Sequence, residues 1–227
     1  YRFDIFGGMD IVEEVALGYG IDNLKPAWPA SVHIGEKNQI SEKLDSISRL
    51  MTGLGFMETL NSTLADKQIL YEMTNRDSSQ IISVVSSKSQ EHTILRDSIL
   101  PGLLENLSKN IHETYPQKFF ESGIVFSKGV SIKETTNLAC VSASEETNFS
   151  KMKAVLQSLL RIGFNIKCET KTLPNHALFS QGRVAEITVG KNVVGHIGEL
   201  DSKVLENFKI RTGVVAFEIK LNGLIFD

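Results

Sequence analysis

Cysteine is scarce: only Cys140 and Cys168 occur among 227 residues, and nothing around them has metal-ligand spacing. A reducing, cytoplasmic setting, with both thiols buried in strands, is the simpler expectation. A basic excess is also missing. Lys and Arg total 24 against 27 Asp and Glu, a formal charge of −3. That argues against this chain alone gripping nucleic acid over a broad surface, and DNA is not an expected partner. Apolar runs are short, none approaching the about 20 residues that cross a bilayer, so no membrane partner is expected. Repeats, low-complexity tracts and a glycine-rich phosphate loop are absent as well. No signal-peptide pattern occurs, and the first residue is Tyr1. The chain reads as beginning in mid-element, as a piece of a longer polypeptide would.

What remains is 41% hydrophobic with a mean hydropathy of −0.05, enough for a sizeable core in one large or two small domains. Tyr1 to Phe6 reads as a strand, and Met9 to Tyr19 as a short helix stopped by Gly20. Ile21 to Gly35 carries Pro26 and Pro29 without periodicity and marks a connector. The expected division is therefore 1–35, the end of a small preceding domain plus connector, and 36–227, a core domain. Ile40, Leu44, Ile47, Leu50, Met51 and Leu54 fall on one helical stripe roughly 120° wide, ended by Gly53 and Gly55. Beyond it, strands are expected at 56–64, 81–86, 119–126, 138–142 and 214–219. Helices are expected at 66–73, at 100–110 behind Pro101, at 151–162 and at 201–208. A hairpin over 184–197 should turn at Gly190-Lys191-Asn192. Hairpins mixed with irregularly spaced helices imply an α+β fold with a mainly antiparallel sheet.

Asp4, Asp10, Glu13 and Glu14 lie within eleven residues. On the helix, positions 10, 13 and 14 share one face, while Val12, Val15, Ala16 and Tyr19 form the opposite face and should dock on a core. Gly7-Gly8 would fold Asp4 back toward the acids. Hard divalent cations such as Mg²⁺ take oxygen ligands of this kind. Spacing alone favours a solvated acidic face, with the first-turn acids also suiting the helix dipole; only the clustering argues for a metal. Four adjacent carboxylates repel one another unless a cation or partner neutralises them.

The segment "YRFDIFGGMDIVEEVALGYGIDNLKP" resembles a signature of phenylalanyl-tRNA synthetase β chains. "LMTGLGFMETLNSTL", "ILRDSILPGLLENLSKN", "KFFESGIVF" and "GRVAEITVGKNVVGHIGELDSKVLENFKI" continue the likeness in the expected order. Two departures stand out: Gly7 where the family often has histidine, and Ser86-Ser87 where it commonly has Asn-Pro. The connector wording is closer to archaeal and eukaryotic β chains than to bacterial ones. The resemblance implies a class II aminoacyl-tRNA synthetase-like antiparallel sheet flanked by helices, in a catalytically inactive version. It also implies Mg²⁺ at Asp4, Asp10, Glu13 and Glu14, shared with an α subunit. ATP and phenylalanine would be bound by α alone, in a cytoplasmic α2β2 assembly that charges tRNA.

Active relatives stabilise the charge that builds on ATP with arginines. The first of these corresponds to Phe119 of Lys118-Phe119-Phe120-Glu121, which leaves Glu121 without its cationic neighbour. The second has no counterpart, since no arginine follows Arg211. Two other readings compete: a regulatory pseudo-synthetase dimer binding a metabolite, and a free-standing Mg²⁺-dependent phosphoryl-transfer enzyme. Arg96, beside Asp97, is expected as a structural ion-pair partner more than a contact for tRNA or a partner chain. His92 and His112 make neither a triad nor a metal site by themselves. His196 is expected to be packed or half exposed in its strand. Trp28 is either an interface anchor or a connector side chain tucked onto its own domain.

Overall fold

The computed structural model describes residues 2–30, 35–85, 91–146 and 148–226. The chain forms two compact units, Tyr1–Lys37 and Asn38–Asp227.

The first unit holds helix α1 (Gly8–Tyr19) and one 3₁₀ turn, Ile21–Asn23. Gly20 ends α1 at φ +94°, a value that L side chains rarely adopt. The strand expected before α1 does not form among the described residues. Instead the Asp10 carboxylate accepts the amides of Phe6 and Gly7, both at 2.7 Å, and folds the segment onto the helix start. Nor does α1 bury any residue. Val15 is 66% exposed, because among the described residues this unit carries no second layer to cover the apolar face.

The second unit begins with α2 (Gln39–Gly53), whose first turn is capped by Asn38 accepting from the Ile40 amide. The stripe read from the sequence buries Ile47 and Met51. Strand β1 (Met57–Glu58) follows, then β2 (Leu64–Ala65) and, after one π-helical turn at Gln68–Glu72, β3 (Ile94–Leu95). Next come α3 (Leu100–Lys109), β4 (Gln117–Ser127), β5 (Lys133–Ser144) and α4 (Phe149–Phe164). The chain continues through β6 (Glu169–Leu173), β7 (Phe179–Val189), β8 (Asn192–Leu200), α5 (Ser202–Asn207) and β9 (Gly213–Lys220). The seven-stranded sheet runs β1-β4-β5-β9-β8-β7-β6, with β2 and β3 paired apart. Only β1 joins it in parallel, beside β4; the other neighbours are antiparallel.

Several expectations shift. The strand at 56–64 splits into β1 and β2, and the helix at 66–73 shrinks to the π-helical turn. Of 81–86, the described residues make a single bridge from Ser83 to Ile94; the Ser86-Ser87 step lies outside them. Strand β6 was not foreseen. Cys140 lies in β5, but Cys168 precedes β6 by one residue, and both thiols are buried.

Both faces of the sheet are covered. Leu156, Leu159 and Leu160 of α4, with Ile47 and Met51, pack on Phe120, Cys140, Phe217 and Ile219. Leu103, Leu104 and Leu107 of α3, with Val204 of α5, pack on Ala139, Val141, Ala143 and Ala216. Small side chains on that second face let the leucines of α3 approach the strands. Each such leucine contributes about 1.5–3 kcal/mol by leaving water. Gly195 serves close approach of another kind: a Cβ there would stand 2.0 Å from the Glu218 carbonyl oxygen.

Candidate functional site

Register places a polar row straight across the face that α3 covers. Glu121 of β4 lies opposite Ala139, which lies opposite Glu218, then His196, Glu186 and Lys171. Laterally paired residues point to the same side of a sheet. A carboxylate buried under a helix must find partners or be neutralised, and both acids at the buried end of the row find them.

Glu121 has no exposed surface. One carboxylate oxygen takes Arg96 Nη1 at 2.6 Å, the other Asn61 Nδ2 at 2.6 Å. Arg96 also donates Nε to the Ile124 carbonyl at 3.0 Å. Gly123 leaves room for the guanidinium, since a Cβ there would meet Arg96 Nη2 at 2.3 Å. Glu121 therefore does not lack a cation: Arg96, twenty-five positions earlier, supplies it. Arg96 is the structural partner expected of it, although Asp97 is not its mate. Asp97 pairs in two-pronged fashion with Arg76, at 3.0 and 2.7 Å.

Glu218 faces the start of α3. Its carboxylate accepts Ser98 Oγ at 2.6 Å, Asn137 Nδ2 at 2.7 Å and the amides of Ile99 and Leu100 at 3.1 and 3.3 Å. Those amides belong to the helix end that lacks internal partners, where the dipole also favours negative charge. His196 is half-buried and stacks on His176, ring centroids 4.7 Å apart. Burial, then the neighbouring His196 and Arg76, pushes the His176 imidazole down to about 4. Burial also lowers His196, opposed by Glu186 and Glu218. Phe119 packs against the same apolar cluster as α3. At the buried end of the row, Glu121, Arg96 and Glu218 are thus committed to partners within the fold.

Glu218, Asn61 and Arg76 were missed from sequence. A lone acid inside "VVAFEIK" is the available signal, because a buried charge must be paired. His92 and His112 line different cavities. Trp28 is 97% exposed rather than tucked onto its unit.

On the opposite face a cavity of about 610 Å³ opens between Phe56, Tyr115, Lys118, Ser142, Lys151 and Met152. The Lys118 ammonium stands 5.5 Å from the Phe56 ring centroid.

The acidic set of the first unit is arranged differently. Arg2 bridges two of its members, with Nη2 at 2.5 Å from Asp4 and 2.7 Å from Glu14. Hydrogen bonding to Arg2 holds the Asp4 carboxyl below its ordinary range. Asp10 is turned onto backbone amides, and Glu13 is exposed. Among the described residues, no three acids or other metal-ligating side chains converge on a point. Hard carboxylate oxygens suit Mg²⁺ by chemistry, but in this arrangement they do not fit it.

Residues 26–221 match the family model described as "Phenylalanyl tRNA synthetase beta chain CLM domain". The phenylalanine–tRNA ligase β subunit of Methanocaldococcus jannaschii is 37% identical over 227 residues, covering 97% of this chain and 41% of the relative. That of Archaeoglobus fulgidus is 36% identical over 230 residues, covering 100% and 41%. The Borrelia recurrentis subunit is 35% identical over 232 residues, covering 99% and 40%. This chain therefore spans about two fifths of the length of these curated relatives. Among solved structures, a pyrrolysyl-tRNA synthetase from Desulfitobacterium hafniense superposes with a TM-score of 0.70 at 16% identity, over 83% of this chain and 68% of that one. The likeness extends to the fold: an α+β, mainly antiparallel sheet of the class II aminoacyl-tRNA synthetase kind.

Proposed function

Because the chain belongs to the phenylalanyl-tRNA synthetase β-chain family, we infer that it is the non-catalytic partner in ATP-dependent phenylalanyl-tRNA formation. Its role is to scaffold an α chain that holds phenylalanine and ATP, in an α2β2 assembly, and to contribute to tRNA binding. One observation carries this reading. On the sheet face bearing Phe119, Arg96 is locked onto Glu121 and Glu218 is spent on the amides that begin α3, so the arginine nearest Phe119 is already committed to a buried carboxylate rather than held ready for a triphosphate. Active sites of this chemistry need preorganised positive charge where negative charge develops. Apolar rings and satisfied acids do not provide it.

Mg²⁺ shared with the partner chain belongs to the proposal only for a rearranged set of Asp4, Asp10, Glu13 and Glu14, and no step here depends on it. A second reading, a metabolite-binding pseudo-synthetase, is favoured by the cavity of about 610 Å³ beside Lys118 and Lys151. That volume suits a small molecule.

Aminoacylation by the full-length chain, with and without its α partner, tests the first reading. Turnover is expected only when both chains are present; turnover by this chain alone would overturn it. For the second, thermal melting of the full-length chain against amino acids and nucleotides should shift, and a shift abolished by Lys118→Ala would favour the cavity.

A further inference from the structure

We propose that the cavity on the sheet face opposite α3 binds a small amphipathic carboxylate, an organic acid with an apolar body. The proposal rests on the metabolite-binding reading of that cavity and names the class of ligand it takes. Its floor is one lateral row of the sheet. Lys118 of β4 lies opposite Ser142 of β5, which lies opposite Val215 of β9, and all three line the cavity. The neighbouring row, Phe120, Cys140 and Phe217, has no exposed surface and lies beneath α4. Met152 marks the limit of that cover: its Sδ stands 3.9 Å from Cys140 Sγ, and the helix begins at Phe149. The packed row is therefore the last that α4 seals, and the next row borders a space of about 610 Å³.

Charge divides the lining. Lys118 is half-buried, and its ammonium lies 5.5 Å from the Phe56 ring centroid. Among the described residues, neither Lys118 nor Lys151 is held in an ion pair. A cation drawn partly out of water gains something from an aromatic face, but a carboxylate is the stronger partner, and an incoming anion supplies it. Helix α4 favours the same charge. Asn148 caps it by accepting the Lys151 amide at 3.0 Å, and both residues line the cavity, so the positive end of the helix stands at that wall. Phe56, Met152, Val155 and Val215 give the lining its apolar part, which suits a hydrocarbon body. Glu145 and Glu146, also in the lining, are exposed and repel a ligand of high negative charge. The site therefore takes a single carboxylate in preference to a triphosphate.

Hexanoate, hexanamide and hexylamine share one body and differ in head group, which makes them the probes. Each is titrated into the full-length chain carrying isotope-labelled methionine methyl groups. The Met152 resonance, assigned through Met152→Leu, reports occupancy by nuclear magnetic resonance. Hexanoate is expected to move it and to bind roughly tenfold or more tighter than hexanamide, the margin of a charge-assisted hydrogen bond; hexylamine should bind weakest. Lys118→Gln should remove the preference for hexanoate and leave hexanamide unchanged, which also shows the cavity intact. Lys151→Gln, at the exposed wall, should weaken hexanoate by about two- to fivefold. Tighter binding of hexanamide or hexylamine would overturn the carboxylate class while sparing the cavity. So would a hexanoate preference that both lysine substitutions leave in place. If no probe moves Met152, the class falls, and the melting panel of amino acids and nucleotides decides the cavity reading on its own.

Discussion

The acids of the two units obey opposite economies. In the sheet, Glu121 is wholly buried and takes a buried arginine and an asparagine, while Glu218 accepts the amides that begin α3. In the first unit, Asp4 and Glu14 share one arginine at the surface, and the apolar side chains of α1 lie open. Buried charge is expensive to disturb because a removed partner leaves an ion in low dielectric. Exposed charge is screened and can be exchanged for another cation at small cost. The contrast separates a rigid, self-satisfied surface from one whose partners can change.

Breaking the buried pair gives the largest expected effect. Arg96→Ala should destabilise the chain by about 3–5 kcal/mol, since Glu121 is left charged and buried. The double substitution Arg96→Met with Glu121→Leu should recover much of that loss. Urea unfolding of the three proteins measures it; a single substitution with no shift in midpoint would mean that the pair does not hold the face together. Leu103→Ala, beneath α3, should cost about 2–5 kcal/mol by the same measurement, which sharpens how far the seal depends on the helix and how far on the acids. Glu218→Gln keeps the shape but removes the charge at the helix start, for about 1 kcal/mol.

A pH series gives the gentlest probe. His176 is depressed to about 4 in the folded chain against about 6.5 when unfolded. Between those values the unfolded state binds more protons, so its contribution to stability is full above about 6.5 and is lost as pH falls toward 4. His176→Phe should flatten this part of the stability profile. An unchanged slope would exclude the stacked histidines as its source.

Local patterns made much of this architecture readable. The stripe from Ile40 to Leu54 became α2, Pro101 stands at the start of α3, and Gly190 at φ +60° turns the β7–β8 hairpin. Strand β6 escaped because Glu169 to Leu173 is an edge strand with three exposed positions, so burial leaves no apolar alternation to read. The pairings that seal the face are long-range. Arg96 finds Glu121 rather than its neighbour Asp97, and α3 is capped by an acid more than a hundred residues later. Nearby sequence carries no trace of such partners, because they are fixed only when the sheet register is. The acidic set is the opposite case: Asp4 and Glu14, close in sequence, do come together, and a guanidinium bridges them.

Equilibrium binding of ATP to the full-length chain without the proposed α partner, followed by calorimetry, bears most directly on the self-satisfied face. No saturable binding is expected at ATP concentrations that saturate the proposed α–β assembly. Saturable ATP binding that Phe119→Ala or Arg96→Met alters would contradict the account, since it would place a nucleotide on the face that α3 and its paired acids fill.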